Sequence, residues 1–163
     1  MSSVPSPDPG AARRRRRAAT SLKDSLRELN LQLSLLDSQV GARLDLRQID
    51  LDCMDLIARH GPVSPSALAR RAGLHPATMT GILDRLERGG WIARERDPSD
   101  RRSVLVRTVR DRTGEVFRLY AGMNAAMDEI CASYGDAELE VVADFLRRTV
   151  DAGRAAADDL AAG

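Results

Sequence analysis

Residues Ser64 to Val109 read SPSALARRAGLHPATMTGILDRLERGGWIARERDPSDRRSVLVRTV, and this stretch decides the fold. Ser64-Pro65 supplies a cap and a first-turn proline for a short helix that turns Leu68 and Ala69 inward and ends at Gly73. Leu74 anchors the turn, and Pro76 opens a second helix that runs to Arg88. Its apolar residues Met79, Ile82, Leu83 and Leu86 recur at three- and four-residue spacing and make one buried stripe. Gly89-Gly90 stops that helix, and two strand patterns follow, over 91–95 and 103–109. Val104 and Val106 alternate there with Leu105 and Arg107, and Asp97-Pro98-Ser99-Asp100 has the composition of a turn. Helix, turn, helix and charged hairpin in this order make a winged helix-turn-helix, a shape suited to duplex DNA.

The outward face of the second helix then becomes the candidate DNA-reading surface: His75, Pro76, Ala77, Thr78, Thr80, Gly81 and Arg85. Its first half is small, so the backbone can press into a major groove, while threonine meets a phosphate or a thymine methyl. Arg85 lies further along, better placed for phosphate than for bases. Gly81 costs roughly 1 kcal/mol of helix propensity relative to alanine, for which close groove approach is one reading and chance the other. His75 stands where Ser, Thr, Asp or Asn is the usual cap, so it either meets a phosphate or sits there without a partner. In the hairpin, Arg94, Arg96, Asp100, Arg101 and Arg102 form the candidate wing contacts.

Outward from this centre, the periodicity predicts more helices. Leu22, Leu26, Leu29, Leu33, Leu36, Val40 and Leu44 form one stripe, with Leu31 and Leu35 off it, so this helix is apolar on more than one side and suits a partner as well as its own core. A second helix over 46–59 turns Ile49, Cys53, Met54 and Ile57 inward. After the hairpin, Asp111 can cap a helix striped by Val116, Leu119, Tyr120, Met123, Met127, Ile130 and Tyr134. Leu139, Val142, Phe145, Leu146 and Val150 then mark a last one. The expected architecture is mainly α with a small β-hairpin wing. It comprises a disordered Arg-rich arm over 1–19, a dimerisation helix over 20–46, the winged domain over 47–111, and C-terminal dimerisation helices with a tail over 112–163.

The net charge of +1 conceals an asymmetry. Residues 1–19 carry five arginines against Asp8, and 75–112 carry nine arginines against six acids; 113–163 carry four arginines against ten acids. Positive charge therefore sits on the arm and the hairpin, where a polyanion would be met, and the acidic end suits dimerisation. Arg13 to Arg17 either graze a duplex or are simply solvated. No apolar run approaches the roughly 18–20 residues of a membrane span, so a cytoplasmic protein without membrane contact is expected. Cys53 and Cys131 are single and far apart, so neither a metal site nor a cofactor is expected. The two histidines, His60 and His75, have no plausible nucleophile nearby, and no Gly-rich phosphate loop follows a strand, so the chain does not read as an enzyme.

The run Gly73-Leu74-His75-Pro76-Ala77-Thr78-Met79-Thr80, with Leu83-Asp84-Arg85-Leu86-Glu87-Arg88-Gly89-Gly90, resembles the recognition helix of MarR-type regulators. Asp97-Pro98-Ser99-Asp100-Arg101-Arg102 resembles their wing signature, and the resemblance extends over roughly 20–150. It implies a homodimer joined by the first and last two helices, bound to double-stranded DNA at a pseudo-palindromic site and acting as a repressor. It also implies a wing arginine, matching Arg102, in the minor groove and steadied by Asp100. A small aromatic or phenolic effector would bind between the dimerisation and DNA-binding parts, for which Leu29, Leu33, Met54, Tyr120, Met123 and Met127 are candidates. Gly81 departs from the family pattern, where a long side chain is frequent, and Arg110-Asp111 replaces the usual cap after the wing. The reactive cysteine of the peroxide-sensing branch has no counterpart in the first long helix. The alternative to a DNA-binding regulator is a winged helix used only as a protein-interaction module.

Overall fold

The computed structural model describes residues 9–100 and 102–162. Its elements in chain order are α1 (Pro9–Leu44), α2 (Gln48–His60), α3 (Pro65–Ala72), α4 (Pro76–Arg88), β1 (Ile92–Arg96), β2 (Val104–Thr108), α5 (Arg110–Ala132) and α6 (Asp136–Ala162). Composition suggested disorder over 1–19, but α1 already starts at Pro9, so 9–19 is helical. Alanine and arginine are among the strongest helix formers, and proline is tolerated in a first turn. The first eight residues of that stretch lie outside the described residues. Among the described residues no helix is long and apolar enough to cross a membrane.

Two compact units divide the chain, one through Val116 and one from Phe117. In the first, α2, α3 and α4 enclose a core of Cys53, Met54, Ile57, Leu68, Met79, Leu83 and Leu86, closed by Trp91 and Val106. The turn between α3 and α4 follows from its punctuation. Ser64 accepts the Ala67 amide at 3.3 Å, Pro65 fills the first turn, and Gly73 takes the left-handed conformation (φ 64°) that returns its amide to the end of α3. Strand β1 pairs antiparallel with β2, Arg94 opposite Val106 and Arg96 opposite Val104. Val63 adds a bridge on the other edge of β2, exchanging both bonds with Val106 at 3.1 and 2.8 Å. The wing is thereby tied to the segment before α3.

Only the last turns of α1 reach this core; Val40 is buried, while Leu22, Leu29, Leu31, Leu33 and Leu35 are exposed. The first turn of α5 belongs to this unit. The Arg112 guanidinium stacks on Trp91 at 3.8 Å and is held by both Glu115 oxygens at 2.8 and 2.9 Å. Asp111 lies in that first turn rather than capping it, because the helix begins at Arg110.

In the second unit, α6 starts where Glu138 accepts the Gly135 amide at 2.9 Å. Neither α5 nor α6 buries a residue. Met127 and Ile130 of α5, and Val141, Val142, Leu146 and Val150 of α6, are exposed.

Cys53 is fully buried, and desolvation pushes its thiol from 9.0 up to about 11, with the Asp52 and Asp50 carboxylates adding to the rise. It is a small core hydrophobe, whereas Cys131 is exposed. A thiol-reactive probe at neutral pH is expected to label Cys131 and to reach Cys53 only as the protein unfolds. Because folding favours the protonated thiol, that contribution to stability is present below 9.0 and is lost as pH rises through about 11. Equal labelling rates in native protein would contradict the burial. Gly73→Ala is expected to cost about 1–2 kcal/mol in urea unfolding, since only glycine adopts the left-handed turn without strain.

Candidate nucleic-acid interface

Helix α4 has two faces. Met79, Ile82, Leu83 and Leu86 are buried, and His75, Pro76, Ala77, Thr78, Thr80 and Gly81 are exposed together at its N-terminal end. His75 resolves in favour of capping, since its Nδ1 accepts the Ala77 amide at 3.2 Å. That bond requires an imidazole lone pair and satisfies one of the amides a helix start leaves open. The Thr80 hydroxyl donates to the Pro76 carbonyl at 3.0 Å, so its proton is committed and its methyl and oxygen lone pairs remain for a ligand. A Cβ at Gly81 would meet nothing within 4 Å. The protein's own packing therefore does not require glycine here.

Two arginines expected to face DNA are paired with carboxylates of the fold. Arg85 grips Asp50 with Nε on Oδ2 at 3.2 Å and Nη2 on Oδ1, and this hydrogen bond raises the guanidinium pKa above its ordinary value. Asp50 itself is fully buried and also accepts the Arg47 amide at 2.9 Å. The buried carboxylate needs a charge-assisted partner, and Arg85 is the one within reach. Arg94 donates to Asp84 at 2.6 Å and to Glu87 at 2.7 Å, bolting β1 to the outer side of α4. Both arginines hold the reading helix in place.

The wing loop is closed by local bonds. The Asp97 amide donates to the Ser103 carbonyl at 3.0 Å, and the Ser103 amide to the Asp100 carbonyl at 2.9 Å. Asp97 Oδ1 accepts the Ser99 amide at 2.8 Å and the Ser99 hydroxyl at 2.7 Å, and these bonds hold its carboxyl below the usual range. Asp100 accepts the backbone amide of Arg102 at 3.0 Å, so it orders the chain at Arg102 rather than its guanidinium. Arg96 and Arg102 are exposed and make no ion pair with a described residue. Arg101 lies outside the described residues.

Arg70 and Arg71, absent from the sequence-derived set, end α3 beside the turn into α4. Both are exposed and make no ion pair with a described residue. Their position in the last turn before Gly73 was the available signal. Of the effector candidates, Met54 is buried in the winged-helix core and is a packing residue. Leu29 and Leu33 are exposed on α1, whereas Tyr120 and Met123 are half-buried and Met127 exposed on the second unit's part of α5. Among the described residues no three His, Cys, Asp or Glu side chains converge as metal ligands.

Residues 48–104, spanning α2 to the start of β2, match the MarR family model. YcgE of Bacillus subtilis (strain 168), an HTH-type transcriptional regulator, is 29% identical over 125 residues, covering 77% of this chain and 81% of its own length. Among solved structures, a MepR mutant from a multidrug-resistant S. aureus clinical isolate superposes with a TM-score of 0.69 at 14% identity, over 80% of this chain and 96% of that one. Another S. aureus MepR mutant, bound to an oligodeoxyribonucleotide, does so with a TM-score of 0.56 at 15% identity over the same shares. With helix, turn, helix and wing in the matched order, residues 48–104 form a winged helix-turn-helix of the MarR type.

Proposed function

We propose that this protein is a sequence-specific transcriptional repressor that binds double-stranded DNA as a homodimer. The observation that carries the reading is the exposed, short-side-chain face of α4, accompanied by arginines without a described ion-pair partner at the end of α3 and on the wing. Arg70 and Arg71 stand at the N-terminal side of α4, and Arg96 and Arg102 on the wing. A short-side-chain helix enters a major groove closely, and an arginine at a wing tip suits the negative potential of a narrow minor groove. Phosphate neutralisation by the remaining arginines supplies affinity without sequence information.

The exposed leucines of α1 and the exposed apolar residues of α5 and α6 are the surfaces a second copy would bury. In such a dimer two copies of α4 lie about one duplex turn apart, ~34 Å, on a pseudo-palindromic site. Release of DNA on binding a small aromatic or phenolic effector is the regulatory part of this proposal.

Fluorescence anisotropy tests the reading, using a duplex selected by the protein from a random pool beside a scrambled duplex, at several salt concentrations. Preference for the selected duplex with a steep log–log salt slope is expected. Arg102→Ala is expected to weaken binding to both duplexes and to reduce the slope by about one. Thr80→Ala should instead change the preference between them, by roughly 1–3 kcal/mol if its methyl or oxygen reads a base. Identical effects of the two substitutions on every duplex would refute this division of labour. Absence of salt-dependent binding to any duplex would favour a protein-interaction module.

A further inference from the structure

Asp50 is the one charged side chain with no exposed surface among the described residues, and it joins two places that the sequence separates widely. On one side, its Oδ2 accepts the Arg47 amide at 2.9 Å. Arg47 caps α2 two residues after Asp45, where the chain leaves α1 through a left-handed residue (φ 55°) and Leu46 donates back to the Gly41 carbonyl at 2.9 Å. On the other side, both Asp50 oxygens take the Arg85 fork. The carboxylate therefore bridges the joint between α1 and α2 to the last turn of α4.

The azimuth of Arg85 on α4 gives this bridge its consequence. Seven residues separate it from Thr78, which at 3.6 residues per turn returns the side chain to within about 20° of the same direction. Gly81 lies on that stripe as well. A roll of α4 about its axis turns Thr78, Thr80 and Gly81 through the same angle as Arg85, so a restraint on Arg85 restrains them all. A fork-on-carboxylate pair constrains orientation as well as distance, which a single apolar contact does not. Buried ion pairs contribute little net stability against a well-packed apolar replacement, so specificity is the better account of one retained in a core this small.

We propose that Asp50 is the positioning residue of the reading helix. Through Arg85 it fixes the roll of α4, and so decides which exposed side chains face the bases, while Arg85 itself makes no phosphate contact. The proposal rests on the DNA-binding reading above.

The test compares wild type with Asp50→Asn, Arg85→Gln, the double variant and Arg85→Lys, again on the selected and scrambled duplexes across salt. The readout is the ratio of the two affinities, which does not change when only the folded fraction falls. Each single variant is expected to cut the preference about tenfold or more, and the double variant no further than either single. Arg85→Lys, which keeps the charge and loses the fork, should behave like Arg85→Gln, and the salt slope should stay at the wild-type value. If Arg85→Gln lowers the slope by about one while Asp50→Asn leaves slope and preference unchanged, Arg85 is a phosphate contact and the proposal is overturned. Unchanged preference in every variant, with only a lower Tm, overturns it in favour of a purely structural pair. Should the wild type itself prefer no duplex, the DNA-binding reading falls first and this inference falls with it.

Discussion

The structure depends on one helix being buried on one side and bare on the other. Met79, Ile82, Leu83 and Leu86 have almost no exposed surface, and they hold α4 against α2, α3 and the hairpin. At roughly 1.5–3 kcal/mol for each large apolar side chain removed from water, this stripe is a dominant local term. It fixes the depth of α4 in the unit and leaves the opposite face to solvent. An apolar seam is tolerant of small rotations, however, because aliphatic side chains repack at little cost. Directional bonds supply what the seam lacks: the Asp50–Arg85 fork from inside, and Arg94 on Asp84 and Glu87 from the wing side.

The parts legible in the sequence were those encoded within a few residues. Ser64-Pro65, Gly73, Pro76 and Gly89-Gly90 bracket α3 and α4 by backbone chemistry alone, and the observed bounds follow them. The stripe of α4 was readable because its period is set by the helix itself, and Asp97-Pro98-Ser99-Asp100 because such turns close on their own side chains. Arg85 and Arg94, which the sequence places on the DNA-facing side, also pair with carboxylates of the fold. Their acids lie 35, 10 and 7 residues away, so the pairing exists only once the chain is folded. The arm failed for a different reason. Its composition, rich in arginine and poor in apolar residues, signals an absence of core, which is not an absence of helix: α1 is helical from Pro9 and exposed along most of its length.

Cys53 and Asp50 show how the same core treats two titratable groups. One turn apart on α2, both are buried. The thiol is neutral when protonated, so burial raises its pKa and leaves it an inert filler. The carboxylate is met instead by an amide at the helix start and by a guanidinium from another helix. A core that contains one satisfied charge ties its elements together through that charge.

The arginines of the winged unit divide on the same principle. Arg85, Arg94, Arg107 and Arg112 each have a carboxylate partner, so their charge is locally neutralised. Arg70, Arg71, Arg96 and Arg102 have none among the described residues. The two wing aspartates do not cancel this second set. Asp97 is occupied by Ser99 and Asp100 by the Arg102 amide, so both shape the loop and neither pairs with the Arg102 guanidinium. An acid that folded back onto that guanidinium would have to be displaced before a phosphate or base could bind, at the cost of a charge-assisted bond. By bonding backbone instead, Asp100 orders the chain at Arg102 without engaging its guanidinium, the combination that binding a polyanion with little reorganisation requires.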